Sequence, residues 1–315
     1  MDGVQRRGLA ARCREWLNRL PTAFAGSPRA TVVDSVSAPQ TDSTSRAGAV
    51  VAALLNCFAM NRVAQPSRFH TDLLAKFGHV STWVFDLDNT LYPPDCGLWP
   101  QINQRVTLYL AALTGLDGLS ARALQRYYYH RHGTTLRGLV DEGAIDRPDH
   151  FLSFVHDVDR SGIVRNAPLA CEIERLPGRR LIFTNGSRDH ALRTIEQLGL
   201  EGLFEDAFDI VASGLIPKPA APAYEAFFER YGVDPARSAM FEDLAKNLLI
   251  AKARGMTTIL VAPPPGRPDE RDAVDRQDCD TSHVDFVTDD LAGFLGKINA
   301  ELAAAAAPAR ALAAE

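Results

Sequence analysis

The chain has 315 residues, of which 46% are hydrophobic and 23% charged, and its formal net charge is -5 at pH 7. This length allows about two domains, and the composition is typical of a soluble globular protein. The small negative charge argues against a nucleic-acid polymer as partner. The five cysteines include no C-x-x-C pair, which favours reduced thiols in a cytoplasmic protein over disulfides or a zinc site.

Residues 1–68 form an arginine-rich start, with nine Arg against four Asp or Glu. The segment has no clear periodicity, so we predict a disordered or poorly structured N-terminal extension. A start codon placed too early, with Met60 as the true start, and an organellar transit peptide are both open explanations. The apolar run 47–60 is too short to cross a bilayer, so no membrane partner is expected.

A predicted strand then runs directly into two carboxylates one residue apart, Asp86 and Asp88. A chain that leaves a strand can turn so that both acids flank one pocket. Acidic residues and Asn also punctuate ordinary turns, so this short motif needs support from the rest of the chain.

The sequence of residues 96–175 predicts helices and no strands, because apolar residues recur there at helical spacing. The second half of the chain instead alternates strands with helices, which predicts right-handed crossovers and a parallel sheet. Its predicted strands are 181–183, 208–211, 239–241, 257–261 and 284–287. A last predicted helix, 291–298, precedes an alanine-rich tail.

Polar residues follow the predicted strands at several places along the chain. They are Asp86 with Asp88, Thr184 with Asn185, Lys218 in a loop, and Glu242 with Asp243. Ligands bind outside the carboxyl ends of strands in doubly wound sheets, so these residues should converge on one site.

These motifs resemble, in order, those of the haloacid-dehalogenase superfamily of phosphohydrolases, from about Thr82 to Val261. The resemblance implies an α/β fold: a doubly wound parallel sheet in a Rossmannoid core formed by residues 69–95 and 176–298, with an α-helical cap inserted at 96–175. Residues 299–315 then form a low-complexity C-terminal tail. The stretches FDLDNTLYP, FTNG and FEDLAKNL look most like the pyrimidine 5'-nucleotidase branch.

The chemistry of phosphate esters assigns roles to the two aspartates. An ionised Asp86 can attack phosphorus and form an aspartyl-phosphate, while Asp88 protonates the leaving oxygen and later activates water. The resemblance implies the same roles. The haloacid dehalogenases themselves lack an acid at the position of Asp88, which favours phosphate chemistry here.

Magnesium is the expected cofactor, because crowded acids and a phosphate repel one another unless a cation lies between them. Its expected ligands are the Asp86 side chain, the Asp88 main-chain carbonyl and Asp243, with Glu242 acting through water. The Glu242-Asp243 pair, taken alone, would more often be a helix cap, and the other motifs reverse that interpretation. Asn247 is expected to orient Lys218 or a metal-bound water.

Phosphate binding is expected from Thr184 and Asn185 at a helix N-terminus, with the positive charge of Lys218 nearby. Arg137 is the best candidate for a substrate contact in the cap. The tyrosine-rich helix around 127–132 is more typical of ordinary packing.

The sequence therefore predicts a magnesium-dependent phosphomonoesterase that acts on a small phosphorylated metabolite, foremost a pyrimidine nucleoside 5'-monophosphate. Alternatives are another small sugar or acid phosphate as substrate, a phosphotransfer mutase, and a non-catalytic binding protein that keeps the fold. The sequence does not decide the oligomeric state.

Overall fold

Strands and helices alternate in the computed structural model, which describes residues 73–266 and 280–312. Predictions for residues 1–68, for Cys13, Cys57 and Cys279, and for most of the loop before the last strand lie outside the described residues. The strands are β1 Thr82–Phe85, β2 Arg179–Phe183, β3 Asp206–Phe208, β4 Ser238–Glu242, β5 Thr257–Val261 and β6 Phe286–Thr288. The helices are α1 Leu73–Phe77, α2 Leu98–Thr114, α3 Gly118–His132, α4 Thr135–Asp141, α5 Pro148–Val155, α6 Ala167–Arg175, α7 Arg188–Leu198, α8 Ala221–Tyr231, α9 Ala245–Ala253 and α10 Leu291–Leu312.

The described strands form one six-stranded sheet in the order β3-β2-β1-β4-β5-β6. Every pair in it is parallel. The predicted doubly wound α/β fold is therefore confirmed. β1 lies in the middle between β2 and β4, so the carboxyl end of β1 has a strand end on each side.

Both faces of the central strands are covered by apolar side chains. Trp83 and Phe85 point into one hydrophobic cluster, while Val84 between them points into the other. The rings of Phe85 and Phe241 stack with centroids 4.6 Å apart. This alternation over a fully buried strand is what a parallel sheet with helices on both faces requires.

Five helices, α2 to α6, lie between β1 and β2. They fall within residues 96–175, which we call the cap segment. The Cβ of an alanine at Gly133, at the end of α3, would lie 2.8 Å from Pro217 Cγ, so this segment comes close to the loop that carries Lys218.

Two predicted element ends differ from the structure by more than two residues. The strand predicted at 208–211 is β3, Asp206–Phe208, because Asp209 leaves the sheet and its carboxylate accepts hydrogen bonds from the amides of Arg188 and Ala212. The helix predicted to end at 298 continues to Leu312, since alanine has the highest helix propensity. Within the described residues, no helix is both long and apolar enough to cross a membrane.

Candidate active site

Asp86 follows β1 directly and is 6% exposed. Its amide donates to the carbonyl of Phe241 at 2.9 Å, so the pairing between β1 and β4 continues into the site. One carboxylate oxygen, Oδ1, accepts from Lys218 Nζ at 2.7 Å, and the other accepts from Thr90 Oγ1 at 3.2 Å. The carboxylate is therefore held in one orientation at the edge of the sheet.

Lys218 is almost fully buried, and its ammonium group has three acceptors. Nζ lies 2.7 Å from Asp86 Oδ1, 2.8 Å from Glu242 Oε1 and 2.7 Å from the carbonyl oxygen of Phe183. An ammonium group has three hydrogens, so this arrangement uses all of them. Lys218 thus supplies positive charge between two acids from a fixed place.

Asn185 fixes the loop that carries Lys218. Its side-chain oxygen accepts from the amide of Lys218 at 2.8 Å, and its nitrogen donates to the carbonyl of Lys218 at 3.1 Å. Thr184 Oγ1 accepts from the amide of Gly186 at 2.9 Å and so shapes the turn after β2. The structure therefore brings Thr184, Asn185 and Lys218 together, with the Asn185 side chain bonded to the loop.

Three buried carboxylates form a cluster that can hold a cation. Oxygen atoms of Asp86, Glu242 and Asp243 lie within 4.8 Å of one another. The side-chain oxygens of Asn89 and Asn247 are buried nearby without a hydrogen-bond donor, and both residues line the same cavity. Hard oxygen donors with two unsatisfied amide oxygens fit a hydrated divalent cation such as Mg²⁺.

Glu242 was predicted to contact the metal through a water, but both of its carboxylate oxygens accept hydrogen bonds from protein atoms. Oε1 accepts from Lys218 Nζ and, at 2.6 Å, from Asn247 Nδ2, while Oε2 accepts from the amide of Leu244 at 2.7 Å. Asn247 therefore orients Glu242, and through it Lys218. Asn89, whose φ of 61° is left-handed, donates to Asp243 Oδ2 at 3.4 Å.

The pKa of Asp86 is raised to about 7 by burial, although the charge of Lys218 opposes this shift and Glu242 and Asp88 add to it. A divalent cation would reduce the free-energy cost of burying these carboxylates in their ionised form, because its charge favours that form. The electrostatics of the cluster therefore favour a bound cation.

Asp88 faces the same cavity and has a hydrogen-bond network of its own. Its Oδ1 accepts from His190 Nε2 at 2.8 Å and from the hydroxyl of Tyr92. Burial raises the pKa of Asp88, but the contact with His190 and the hydrogen bond from Tyr92 outweigh it and lower that pKa below its ordinary value. A Cβ placed on Gly186 would lie 3.6 Å from Oδ2, so the second oxygen faces the Thr184 turn.

A cavity of about 430 Å³ extends from these acids to the cap segment. Its polar lining from the cap segment includes Asn103, Arg122, Gln125 and Tyr129, and Trp99 contributes an aromatic wall. Arg122 Nη1 and Gln125 Nε2 both donate to Asn103 Oδ1, at 3.2 and 2.9 Å. Cavities of about this size hold small-molecule ligands.

Arg137 is not among the residues that line this cavity. Its Nε lies 2.9 Å from Asp141 Oδ1, one turn along α4. Arg137, the predicted substrate contact in the cap, is therefore part of an ion pair, and Arg122 from α3 lies on the cavity wall. Of the tyrosine-rich stretch, Tyr129 lines the cavity, while Tyr128 is buried and donates to Glu142.

Sequence reasoning also missed His190 and its partners. The sequence held two local signals. A histidine lies in the first turn of the helix that begins at the T-N-G-S turn, and Tyr92 lies four residues after Asp88. The distance of 102 residues between Asp88 and His190 means that only the folded sheet brings them together.

A family model described as a hydrolase, haloacid dehalogenase-like hydrolase, matches residues 80–255. The chain is also 24% identical over 193 residues to phosphate metabolism protein 8 of Saccharomyces cerevisiae. That match covers 56% of this chain and 60% of the yeast protein, so it spans less than two thirds of that relative's length.

Several solved structures are similar at lower identity. The UTR4 protein of Saccharomyces cerevisiae is 18% identical, with 67% of this chain and 98% of that chain covered and a TM-score of 0.40. An L-2-haloacid dehalogenase from Xanthobacter autotrophicus is 19% identical, with 69% of this chain and 97% of that chain covered and a TM-score of 0.41. A HAD phosphatase from Thermococcus onnurineus is 17% identical, with 67% of this chain and 94% of that chain covered and a TM-score of 0.44.

Proposed function

The chain belongs to the haloacid dehalogenase-like hydrolase family, and we propose that within it the protein is a magnesium-dependent phosphomonoesterase. One observation carries this proposal: a second carboxylate, Asp88, lies at the same cavity as Asp86, beside the cluster of Asp86, Glu242 and Asp243. A halide leaves as an anion without a proton, whereas the alkoxide of a phosphate ester needs one. A site that provides an acid for the leaving group therefore suits an ester.

The reaction proceeds in two steps. Asp86 attacks phosphorus, the bond from phosphorus to the ester oxygen breaks, and that oxygen takes a proton from Asp88. Asp88 enters this step protonated, because the negative charge of the bound phosphate opposes the lowered pKa that Asp88 has without substrate. Asp88 then removes a proton from water, which attacks the aspartyl-phosphate and releases inorganic phosphate. Both residues return to their starting states, so no further reactant is consumed.

The remaining residues of the site bind the phosphate and balance the negative charge. The Thr184 hydroxyl and the start of α7 would bind the phosphate, because a helix N-terminus favours an anion. Lys218 keeps Asp86 and Glu242 in place. Asp86, the Asp88 carbonyl and Asp243 would hold Mg²⁺, with Glu242 close by. When bound, Mg²⁺ would neutralise part of the charge of the acids and the phosphate.

A pyrimidine nucleoside 5'-monophosphate is the first substrate class that we propose. The cavity beyond the acids is walled by the aromatic rings of Trp99 and Tyr129 and by the carboxamides of Asn103 and Gln125. Aromatic walls suit a flat base, and the side-chain nitrogen of Asn103, whose oxygen already accepts from Arg122 and Gln125, can donate to its edge.

An acid phosphate is the second candidate, and Arg122 favours it. Among the described residues its only hydrogen bond is to the neutral side chain of Asn103, and no carboxylate pairs with it. A half-buried guanidinium on a cavity wall suits a carboxylate or a second phosphate on the substrate.

A phosphate-release panel tests these proposals. Purified protein would be incubated with Mg²⁺ and with pyrimidine and purine nucleoside monophosphates, sugar phosphates and acid phosphates, with and without a chelator. We expect magnesium-dependent phosphate release, fastest with a pyrimidine nucleotide. Preference for acid phosphates would select the second candidate. No release from any ester, or unchanged release after exhaustive chelation, would contradict the proposed function.

A further inference from the structure

We propose that His190 is a positioning residue for Asp88, and that its imidazole holds one carboxylate oxygen so that the other alone faces the substrate. The proposal rests on the proposed phosphomonoesterase function. It assigns a role to a buried side chain on α7 that contacts neither the acid cluster nor Lys218.

The tautomer of His190 follows from its two ring contacts. Arg160 Nη2 lies 3.0 Å from Nδ1, and Asp88 Oδ1 lies 2.8 Å from Nε2. A guanidinium only donates hydrogen bonds, so Nδ1 must be the acceptor and the ring proton must be on Nε2. That proton is then donated to Asp88. Arg160 thus selects the tautomer that can hold the carboxylate.

The ring of His190 has no room to turn. The residue is 0% exposed, and the ring of His156 stacks on it with centroids 4.4 Å apart and planes inclined by 16°. His156 is itself fixed by a 2.9 Å hydrogen bond between Nδ1 and Ser187 Oγ. Arg160 is anchored by the carbonyl oxygens of Val158 and His156, each at 3.1 Å. The donor to Asp88 is therefore rigidly placed.

The same oxygen of Asp88 receives a second donor, the hydroxyl of Tyr92. With Oδ1 occupied from two sides, Oδ2 is the oxygen left on the side of the Gly186 turn. This turn belongs to the proposed phosphate site, so Oδ2 is the atom placed to exchange a proton with the ester oxygen or with water. Loss of His190 would let the carboxylate rotate and would weaken this placement.

A leaving-group comparison separates positioning from a general structural role. Phosphorylation of Asp86 by p-nitrophenyl phosphate needs little proton donation, whereas phosphorylation by an alkyl phosphate needs it fully. The comparison uses kcat/KM, which reports the steps up to the first irreversible one and excludes hydrolysis of the intermediate. A structural defect would lower kcat/KM for both esters alike.

The variants are His190→Phe, which keeps a ring to stack on His156 but cannot donate, and His190→Gln, which keeps a side-chain N–H donor. We expect His190→Phe to lower kcat/KM for the best alkyl phosphate about 100-fold and for p-nitrophenyl phosphate by less than about fivefold. His190→Gln should recover most of the loss. The control is His132→Phe, because His132 also bonds a carboxylate, Asp141, but does not line the cavity.

Equal losses on both esters, no loss in His190→Phe, or the same shift in the control would overturn the proposal. A second measurement does not depend on activity or on a folded variant. Nitrogen NMR of histidine-labelled wild-type protein should show the ring proton of His190 on Nε2, and a proton on Nδ1 would refute the contact. If wild-type protein cleaves neither ester, the proposed function fails, and the NMR result still decides whether His190 holds Asp88.

Discussion

Lys218 Nζ lies 2.7 Å from Asp86 Oδ1, although these residues are 132 positions apart in the sequence and almost completely buried. The contact places a fixed positive charge on the proposed nucleophile. It also joins the loop after β3 to the end of β1, so the site is connected across two strand ends.

Replacing Lys218 should damage both stability and activity. Lys218→Met leaves Asp86 and Glu242 buried without their cation, and breaking a buried ion pair in this way costs about 3 kcal/mol. We expect a lower thermal midpoint without added metal, partial recovery with Mg²⁺, and at least about a 100-fold loss of kcat. The exposed Lys297 provides the control, since Lys297→Met should change neither. A fully active Lys218→Met protein would rule out this role.

Gly133→Ala should disturb the contact between the cap segment and the Lys218 loop. The new Cβ would lie 2.8 Å from Pro217 Cγ, and the φ of +82° is unfavourable for alanine. We expect a loss of about 2 kcal/mol in the free energy of unfolding and a reduced kcat. Gly143→Ala isolates the backbone effect, because Gly143 has φ +62° but no atom within 4 Å of the added Cβ. Equal losses in the two variants would show that the Pro217 contact has no effect.

Arg122 should contribute to substrate binding, and Arg137 should not. Arg122→Gln removes the guanidinium from the cavity wall and should raise KM for the preferred substrate about tenfold, because a hydrogen bond to a charged group is lost. Turnover of p-nitrophenyl phosphate should stay within about twofold. Arg137→Gln breaks only an ion pair with Asp141 on α4 and should leave KM unchanged. A raised KM in Arg137→Gln with an unchanged KM in Arg122→Gln would reverse this assignment.

Asp285 should stabilise the core in a pH-dependent way. Its carboxylate accepts from Lys252 at 2.6 Å, from Lys76 at 3.1 Å and from the amide of Thr258 at 3.0 Å. Burial raises its pKa, but these hydrogen bonds lower it to about 2. A lowered pKa means that the stabilisation is complete above about pH 4, the unfolded value, and is lost as the pH falls towards 2.

Asp285→Asn should therefore lower the free energy of unfolding at pH 7 by at most about 2 kcal/mol, because the partly exposed Lys252 is screened by solvent. The difference from wild type should shrink as the pH falls from 4 to 2, in thermal or urea unfolding. Glu225→Gln, which breaks the exposed pair with Arg254, should cost less than about 0.5 kcal/mol. A difference that grows at low pH would contradict the sign of the shift.

The sequence predicted the sheet and the acids well because the information was local. The apolar run before Asp86 and the polar residues after 183 and 241 mark strand ends by composition alone, and parallel strands must bring such ends to one edge. The end of β3 was misplaced because the Asp209 carboxylate accepts from the amide of Arg188 at the start of α7, a contact that no local pattern encodes.

The cap and the support of Asp88 were less predictable for a physical reason. The choice between Arg122 and Arg137 depends on which helix face turns to the cavity, and the sequence around each arginine does not show this. His190 contacts Asp88 only because α7 follows β2 and β2 lies beside β1. Such contacts are set by tertiary packing, so sequence spacing does not reveal them.

Trapping the covalent intermediate tests the central claim most directly. Asp88→Asn keeps the nucleophile and removes the acid, so an activated aryl phosphate should still phosphorylate Asp86, and the intermediate should accumulate because no base activates water. Mass spectrometry of acid-quenched protein should show an added phosphoryl group on the peptide that contains Asp86, and none in Asp86→Asn. Absence of the adduct in Asp88→Asn, or turnover by Asp86→Asn at a rate comparable to wild type, would contradict the assigned roles.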